Sequence, residues 1–506
     1  MRRKREARRG HAKKVRSVHP NRKARVGLAT ARYVDCSSAA RMDADPTAAP
    51  GPVASQHRRS LLERYGRDPV PRYTSYPPAN CWHESSVDAP ALLAASGQRP
   101  LSLYVHVPFC RKLCFYCGCN MLVTRNSALV EQYLRALEME VDLTARLLKE
   151  IPEVVQVHLG GGTPTYLEPA QLIRLVSTLR SRFPWKLGAE ASIEVHPPVT
   201  TSEQMRTLAA LGFNRVSMGI QDFDPVVQTR VNRIQPFGQT RDLIRTCREL
   251  GFVSVNVDLM YGLPLQTVDG FMKTLDRIEE LRPDRIALFG YAHVPSLKKR
   301  QGQFKPDELP GVELRLTLFE TAMTRLLSAG YQYIGLDHFA LPDDELCRAR
   351  ADGTLRRNFM GYTTCAESDV LAFGPSAISD IGGAYLQNER EVHKWIKHLE
   401  RGELAVTRGH RLSVEDSARR ELIMQLFCRL EVDLDFLARR YPEAFGDGFE
   451  AERPALERLE RDGLVQREKA RLRVSPDGQL LLRTVASAFD AYFRIPNPAR
   501  QHAPAV

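Results

Sequence analysis

The chain of 506 residues contains no run of eighteen or more apolar residues, so an ordinary membrane-spanning helix is not expected. No charged, then apolar, then small-residue stretch opens it, so secretion is not expected and a cytoplasmic setting is. No segment repeats at a fixed period, which argues against a solenoid or propeller. Most of the chain also lacks net charge. Residues 1–41 hold fourteen Lys or Arg against two acids, and these alone account for the formal charge of +12. Residues 42–506 are therefore neutral overall, and general affinity for nucleic acid or a membrane surface is not expected of the folded body. The basic stretch lacks apolar periodicity, and 1–50 reads as a disordered extension. It could be a targeting or RNA-binding tail, or translated upstream sequence, since a chain of more ordinary composition begins at Met42.

A second cysteine cluster is lacking too. Six of the ten cysteines, Cys36, Cys81, Cys247, Cys347, Cys365 and Cys428, are scattered and read as buried or incidental thiols. The other four, Cys110, Cys114, Cys117 and Cys119, crowd into "CRKLCFYCGC". A disulfide framework is disfavoured in a reducing compartment. A zinc site usually draws its ligands from two separate hairpins, which are not present. A redox dithiol needs only one C-x-x-C, which Cys114 and Cys117 could supply. An iron–sulfur cluster held by several thiolates from one loop fits better. With C-x3-C-x2-C supplying three ligands, a fourth iron is left for a small chelating molecule.

The loop has a context. From about residue 101, short β-branched runs alternate with helical patterns. Strands are expected at 102–107, 154–160, 191–195, 215–220, 254–260 and 285–291. Helices are expected at 127–150 and near 169–183, 203–211, 238–250 and 268–281. Such alternation means βαβ units on a parallel sheet, either doubly wound or a partial barrel. In both, chemistry gathers at the C-terminal ends of the strands. The unusual residues do cluster there: the cysteine loop, "GGGTP" (160–164), Glu194 and His196, Gln221 and Asp222, Asp258, and "YAHVP" (291–295). Upstream, 43–56 reads as a linker, 60–66 as a short helix and 70–78 as extended chain. Downstream, 417–432 reads as a helix and 454–485 as helix, wing-like hairpin, helix. That last pattern also occurs in DNA readers, but acids interrupt its basic residues.

The spacing C-x3-C-x-Tyr-C, with Tyr116 as the aromatic, resembles the signature of the radical S-adenosylmethionine (SAM) superfamily. More narrowly, the chain is similar to the oxygen-independent coproporphyrinogen III oxidases. The likeness runs from about residue 60 to about 495. It is carried by "PRYTSYP", "SLYVHVPFCRKLCFYCGCN", "HLGGGTPTYL", "SIEVHP", "GFNRVSMGIQDFD", "VNR", "NVDLMYGLP", "YAHVP", "GLDHFALPDDEL", "RNFMGYTT" and "GPSAIS". The resemblance implies an α/β fold: a partial (βα)6 TIM-like barrel at 96–405, an N-terminal arm at 51–95 and a small, mostly helical C-terminal domain at 406–506.

It also implies a [4Fe–4S] cluster on Cys110, Cys114 and Cys117, and two molecules of SAM. Tyr104, Gly161, Glu194 and Ile378 match positions that contact the cluster-bound SAM. Tyr116, Gly162, Thr163, Gln221, Arg233, Asp258 and Ala292 match those of a second SAM. The implied reaction removes hydrogen from propionate β-carbons of coproporphyrinogen III. Loss of carbon dioxide and an electron, twice over, then leaves two vinyl groups and protoporphyrinogen IX. A monomer served by a reductant protein such as flavodoxin or ferredoxin is expected. Cys119, one position beyond the triad, is typical of the oxidases; related haem-binding chaperones, the alternative reading, usually have Phe there. His196 stands where an acid is common in relatives, and the resemblance does not explain it. Arg72 and Arg357 are candidates for the substrate's carboxylates, because guanidinium forks suit them.

Overall fold

The computed structural model describes residues 52–494, apart from 67, 85–86, 366 and 447–448, together with 503–504. The basic stretch lies outside them. Six parallel strands form the framework: β1 (Leu101–Val107), β2 (Val154–Gly161), β3 (Trp185–Val195), β4 (Arg215–Gln221), β5 (Ser254–Tyr261) and β6 (Arg285–Gly290). Each pairs with the next in chain order. A doubly wound sheet would reverse its order at a switch point; a monotonic order is the winding of a barrel. Helices α1 (Ser127–Leu147), α2 (Pro169–Arg182), α3 (Ser202–Ala210), α4 (Phe237–Glu249) and α5 (Val268–Leu281) return the chain between strands, close to the expected positions.

Alternation along the strands divides the two faces. Leu103, Val105, Val157, Leu159, Ile193 and Val257 are fully buried under the helices. On α1, Val130, Tyr133, Leu134, Leu137 and Val141 recur at three- and four-residue spacing and form the matching stripe. Each such buried aliphatic stabilises the fold by roughly 1.5–3 kcal/mol. The intervening positions face the lumen and are polar: Tyr104, His106, His158, Ser192, Glu194, Ser217, Asn256 and Asp258. Register brings them side by side, with Tyr104 opposite His158, His158 opposite Ser192, and Glu194 opposite Ser217. The N-terminal end of the lumen is closed by ion pairs. Arg215 reaches Glu345 at 2.8 Å and Glu190 at 3.3 Å, and Arg285 reaches Asp344 at 2.8 Å and Glu345 at 2.7 Å. The other end is left for chemistry.

The sheet goes further than the sequence pattern predicts. β7 (Gln332–Gly335) and β8 (His338–Ala340) extend it beyond β6, and β9 (Asp369–Phe373) pairs parallel to β1 on the opposite side. β10 (Ile378–Ile381), β11 (Ala384–Asn388) and β12 (Val406–Arg411) follow antiparallel. Gly382 and Gly383, both at positive φ, make the two-residue β10–β11 turn. Upstream, the first helix spans Pro52–Tyr65, so the expected linker is already helical from Pro52. Proline is tolerated there because a first-turn N–H has no helical partner to lose.

Downstream, the helix expected to run to 432 ends at Arg429. Leu430 turns left-handed, and Glu431–Asp433 joins a three-stranded sheet whose hairpin is Val465–Glu468 and Arg471–Val474. Pairing with that hairpin overrides helix propensity. One main core draws buried apolar residues from as far apart as Leu61 and Phe489, with smaller clusters beside it. Among the described residues no helix is long and apolar enough to cross a membrane.

Candidate active site

The cysteine loop follows β1 and is pinched at its neck, where Phe109–Cys110 pairs with Leu122–Val123. Its crown is held from outside. Asn232 Nδ2 donates to the Leu113 carbonyl at 2.7 Å, Gln301 Nε2 to that of Tyr116 at 2.9 Å, and Arg300 Nη2 to that of Cys119 at 3.2 Å. The loop is thus clamped by the chain after β4 and by the turn at Lys299–Gln303. That turn reads in sequence as an ordinary polar surface loop and gave no signal of this role.

The glycine loop at the end of β2 lies alongside. Gly162 N–H donates to the Val107 carbonyl at 2.8 Å and Thr163 N–H to that of Phe109 at 2.9 Å. Gly161 has φ +115°, and a Cβ there would stand 2.7 Å from the His106 ring. A Cβ at Gly162 would meet the Pro108 backbone at 2.8 Å. Only glycine lets the two loops approach so closely.

Glu194 accepts the Gly161 N–H at 3.0 Å and lies 3.4 Å from His158 Nε2. Burial opposes its charge, but His158, the Gly161 amide and His106 outweigh it and hold the carboxyl below its usual range. Asp258 goes the other way. Burial and the charge of Glu194 push it up to about 7, against hydrogen bonds from Asn256 and Ser217. Tyr104 stacks on His158 with ring centroids 5.8 Å apart, and its hydroxyl is 3.1 Å from His106 Nδ1. Gln221 holds a left-handed φ of +69°, a strained conformation for a side-chain residue that places it on the wall. Arg233 donates to Cys114 Sγ at 3.6 Å and to the Gly219 carbonyl, and its Nε is buried without a partner. Burial opposes the Arg233 charge, but Tyr116, Cys114 and Cys117 raise its pKa.

These groups surround a cavity of about 730 Å³. Of the expected site residues, Cys110, Cys114, Cys117, Cys119, Tyr116, Gly161, Gly162, Thr163, Glu194, Gln221, Arg233 and Asp258 line it. Tyr104, on the lumen face of β1, does not line it. Ala292 follows β6, and Ile378 is packed with Trp82 and Tyr385 on the β10–β11 side; neither lines this cavity. Arg111, Lys112, Arg125, Ser217 and Asn232 line it as well and were not anticipated. His196 also lines it. Burial, Arg233 and Lys112 lower its pKa to about 2, so the ring is neutral.

Cys110, Cys114, Cys117 and Cys119 are all free thiols. Among the described residues no three His, Cys, Asp or Glu side chains converge tightly enough for a single metal ion. A cubane cluster makes no such demand, because each of three irons takes its own thiolate. The unpaired thiols and the Arg233 cation beside them suit a multi-iron group that needs thiolate ligands.

The sequence model of the Radical SAM superfamily matches residues 104–278, and that of the HemN C-terminal domain matches 412–481. An oxygen-independent coproporphyrinogen III oxidase of Salmonella typhimurium is 44% identical over 437 residues, which is 86% of this chain and 95% of that protein. The chain belongs to the oxygen-independent coproporphyrinogen III oxidase family. The oxidase of Pseudomonas aeruginosa is 41% identical over 447 residues, 87% of this chain and 96% of its own length. Among solved structures, the Escherichia coli coproporphyrinogen III oxidase (HemN), described as a radical SAM enzyme, matches with a TM-score of 0.81 and 42% identity. The match covers 86% of this chain and 98% of that one. Membership of this radical SAM family implies a [4Fe–4S] cluster and SAM, and the free thiols and the glycine loop described above fit both.

Proposed function

We propose that the protein decarboxylates two propionate side chains of coproporphyrinogen III to vinyl groups, giving protoporphyrinogen IX without oxygen in haem biosynthesis. The observation that carries this is the meeting of the Cys110–Cys114–Cys117 loop with the Gly161–Gly162 loop on one cavity, within a chain 44% identical to an oxidase along nearly its whole length. A [4Fe–4S] cluster and SAM, when bound, would supply the radical chemistry for hydrogen removal at the propionate β-carbon. The chain's own residues bind, orient and exclude water.

Cys110, Cys114 and Cys117 hold the cluster. Glu194, ionised and fixed by the Gly161 amide, accepts from the donors of the first SAM, beside Tyr104, Gly161 and Ile378. A second SAM is assigned to Tyr116, Gly162, Thr163, Gln221, Arg233, Asp258 and Ala292. Cys119, exposed at the crown of the loop, is positioned to meet substrate. We assign 96–405 to the catalytic domain, with 51–95 and 406–506 covering it; the family-model match at 104–278 falls within 96–405 and that at 412–481 within 406–506. A cytoplasmic monomer supplied with electrons by a flavodoxin- or ferredoxin-like protein completes the reading.

The test is anaerobic. The protein is reconstituted with iron and sulfide, then given coproporphyrinogen III, SAM and a strong reductant, and the porphyrins are weighed after oxidation. Two successive losses of carbon dioxide with 5′-deoxyadenosine formed alongside are expected. SAM cleavage without decarboxylation would overturn the assignment.

A further inference from the structure

Four guanidinium groups gather beyond the C-terminal ends of β5 and β6. Arg72 of the N-terminal arm donates to the Gly290 carbonyl at 2.8 Å, and Arg315, on the helix Val312–Ser328, to that of Tyr291 at 2.9 Å. Arg357, on the hairpin strand Arg356–Asn358, donates to the Tyr73 carbonyl. Arg483, in the C-terminal region, pairs with Asp337. Among the described residues Arg72, Arg315 and Arg357 form no ion pair; backbone carbonyls are their partners. Arg357 Nε, Arg483 Nε and the neighbouring His338 Nδ1 are buried without any partner. The surrounding protein lowers the Arg72 pKa by burial, and Arg483 and Arg315 add their repulsion, although its side chain is exposed.

Cations held close together with few counter-charges repel one another, and packing alone gives no reason to assemble them. All four come from outside the strands β1–β6. The arm that carries Arg72 also reaches the opposite flank, where Tyr385 Oη of β11 donates to the Tyr76 carbonyl at 3.2 Å. The arm therefore spans from the end of β6 to β11.

We propose that Arg72, Arg315, Arg357 and Arg483 bind carboxylates of the substrate, anchoring the propionates that are not reacting while another reaches the cysteine loop. This rests on the reading that the substrate is coproporphyrinogen III. With Arg483 neutralised by Asp337, three uncompensated guanidinium groups face the three propionates that are not reacting, and the planar forks suit carboxylates in geometry. The anchor explains how one site could hold two successive reacting propionates: the ring is gripped by whichever carboxylates remain.

The experiment measures anaerobic binding of coproporphyrin III, the stable oxidised form with all four propionates, to the reconstituted protein by fluorescence. Arg72→Gln and Arg315→Gln are each expected to weaken binding about tenfold. Arg72→Lys should recover part of the loss. The salt dependence of binding should flatten in the Gln variants, which a purely structural role would not produce. Iron content and SAM binding should be unchanged, and KM for coproporphyrinogen III should rise more than kcat falls. Unchanged coproporphyrin affinity in both Gln variants, or a loss of SAM binding instead, would overturn the proposal. A parent protein that turns over coproporphyrinogen III while both variants bind normally overturns this inference alone. A parent that neither binds coproporphyrin nor turns over overturns the functional reading with it.

Discussion

Arg233 sets a guanidinium nitrogen 3.6 Å from the sulfur of Cys114 while its other arm is tied to the Gly219 carbonyl. The two residues are 119 positions apart, and the contact joins the chain after β4 to the loop after β1. A fixed cation beside a thiolate stabilises added negative charge. Arg233→Met should therefore make the cluster harder to reduce. A redox titration followed by electron paramagnetic resonance should show a lower midpoint potential; an unchanged one would mean the cluster does not sense Arg233.

The four clustered cysteines should separate into two classes. Cys110→Ala, Cys114→Ala and Cys117→Ala should each abolish the broad visible absorption and turnover together. Cys119→Ser should keep iron, sulfide and absorption while turnover falls. Iron analysis with spectra distinguishes them, and loss of iron in the Cys119 variant would place that thiol among the ligands.

Gly161→Ala should fail twice over. The new methyl would sit 2.7 Å from the His106 ring on a backbone at φ +115°. Strain of this kind costs about 1–3 kcal/mol. Denaturant unfolding should show that loss, and equilibrium dialysis should show weakened SAM binding, because the same amide anchors Glu194.

Glu140 predicts a pH effect remote from the cysteines. It is buried on α1 and accepts from the Gly374 amide, Asn388 and Trp395. Burial nevertheless raises its pKa from 4.5 to about 7. Tyr133, two turns away on the same face of α1, stays neutral throughout, its phenol raised well above 10 by burial. Between pH 4.5 and 7 the unfolded chain has released this proton and the folded chain has kept it. Stability therefore falls as pH rises through that window, by roughly 3 kcal/mol in all. Urea midpoints of the parent and Glu140→Gln should diverge across it, with the variant flatter.

Much of the site could be read in advance because its residues sit in short local patterns. The three-, two- and one-residue cysteine gaps, the triple glycine and the alternating polar residues of β1 to β5 each report a loop or a strand face. The clamp on the cysteine loop could not be read that way. Asn232, Arg300 and Gln301 bind carbonyls more than a hundred residues distant, and a carbonyl leaves no mark in sequence. The added strands β7 to β12 were missed for a related reason. They are short, and pairing with the barrel edge decides them more than their own propensity does. The Gly382–Gly383 turn was the one local signal among them.

The amino-acid sequence by itself determined the order of strands and helices, the polar face of each strand and the cluster loop, because periodicity and spacing act within a few residues. Tertiary structure alone decided that the winding is a barrel, that Arg233 faces Cys114, and that Arg72, Arg315, Arg357 and Arg483 gather beyond the ends of β5 and β6. Those facts depend on which distant segments pack together, and packing is settled by shape and charge in three dimensions.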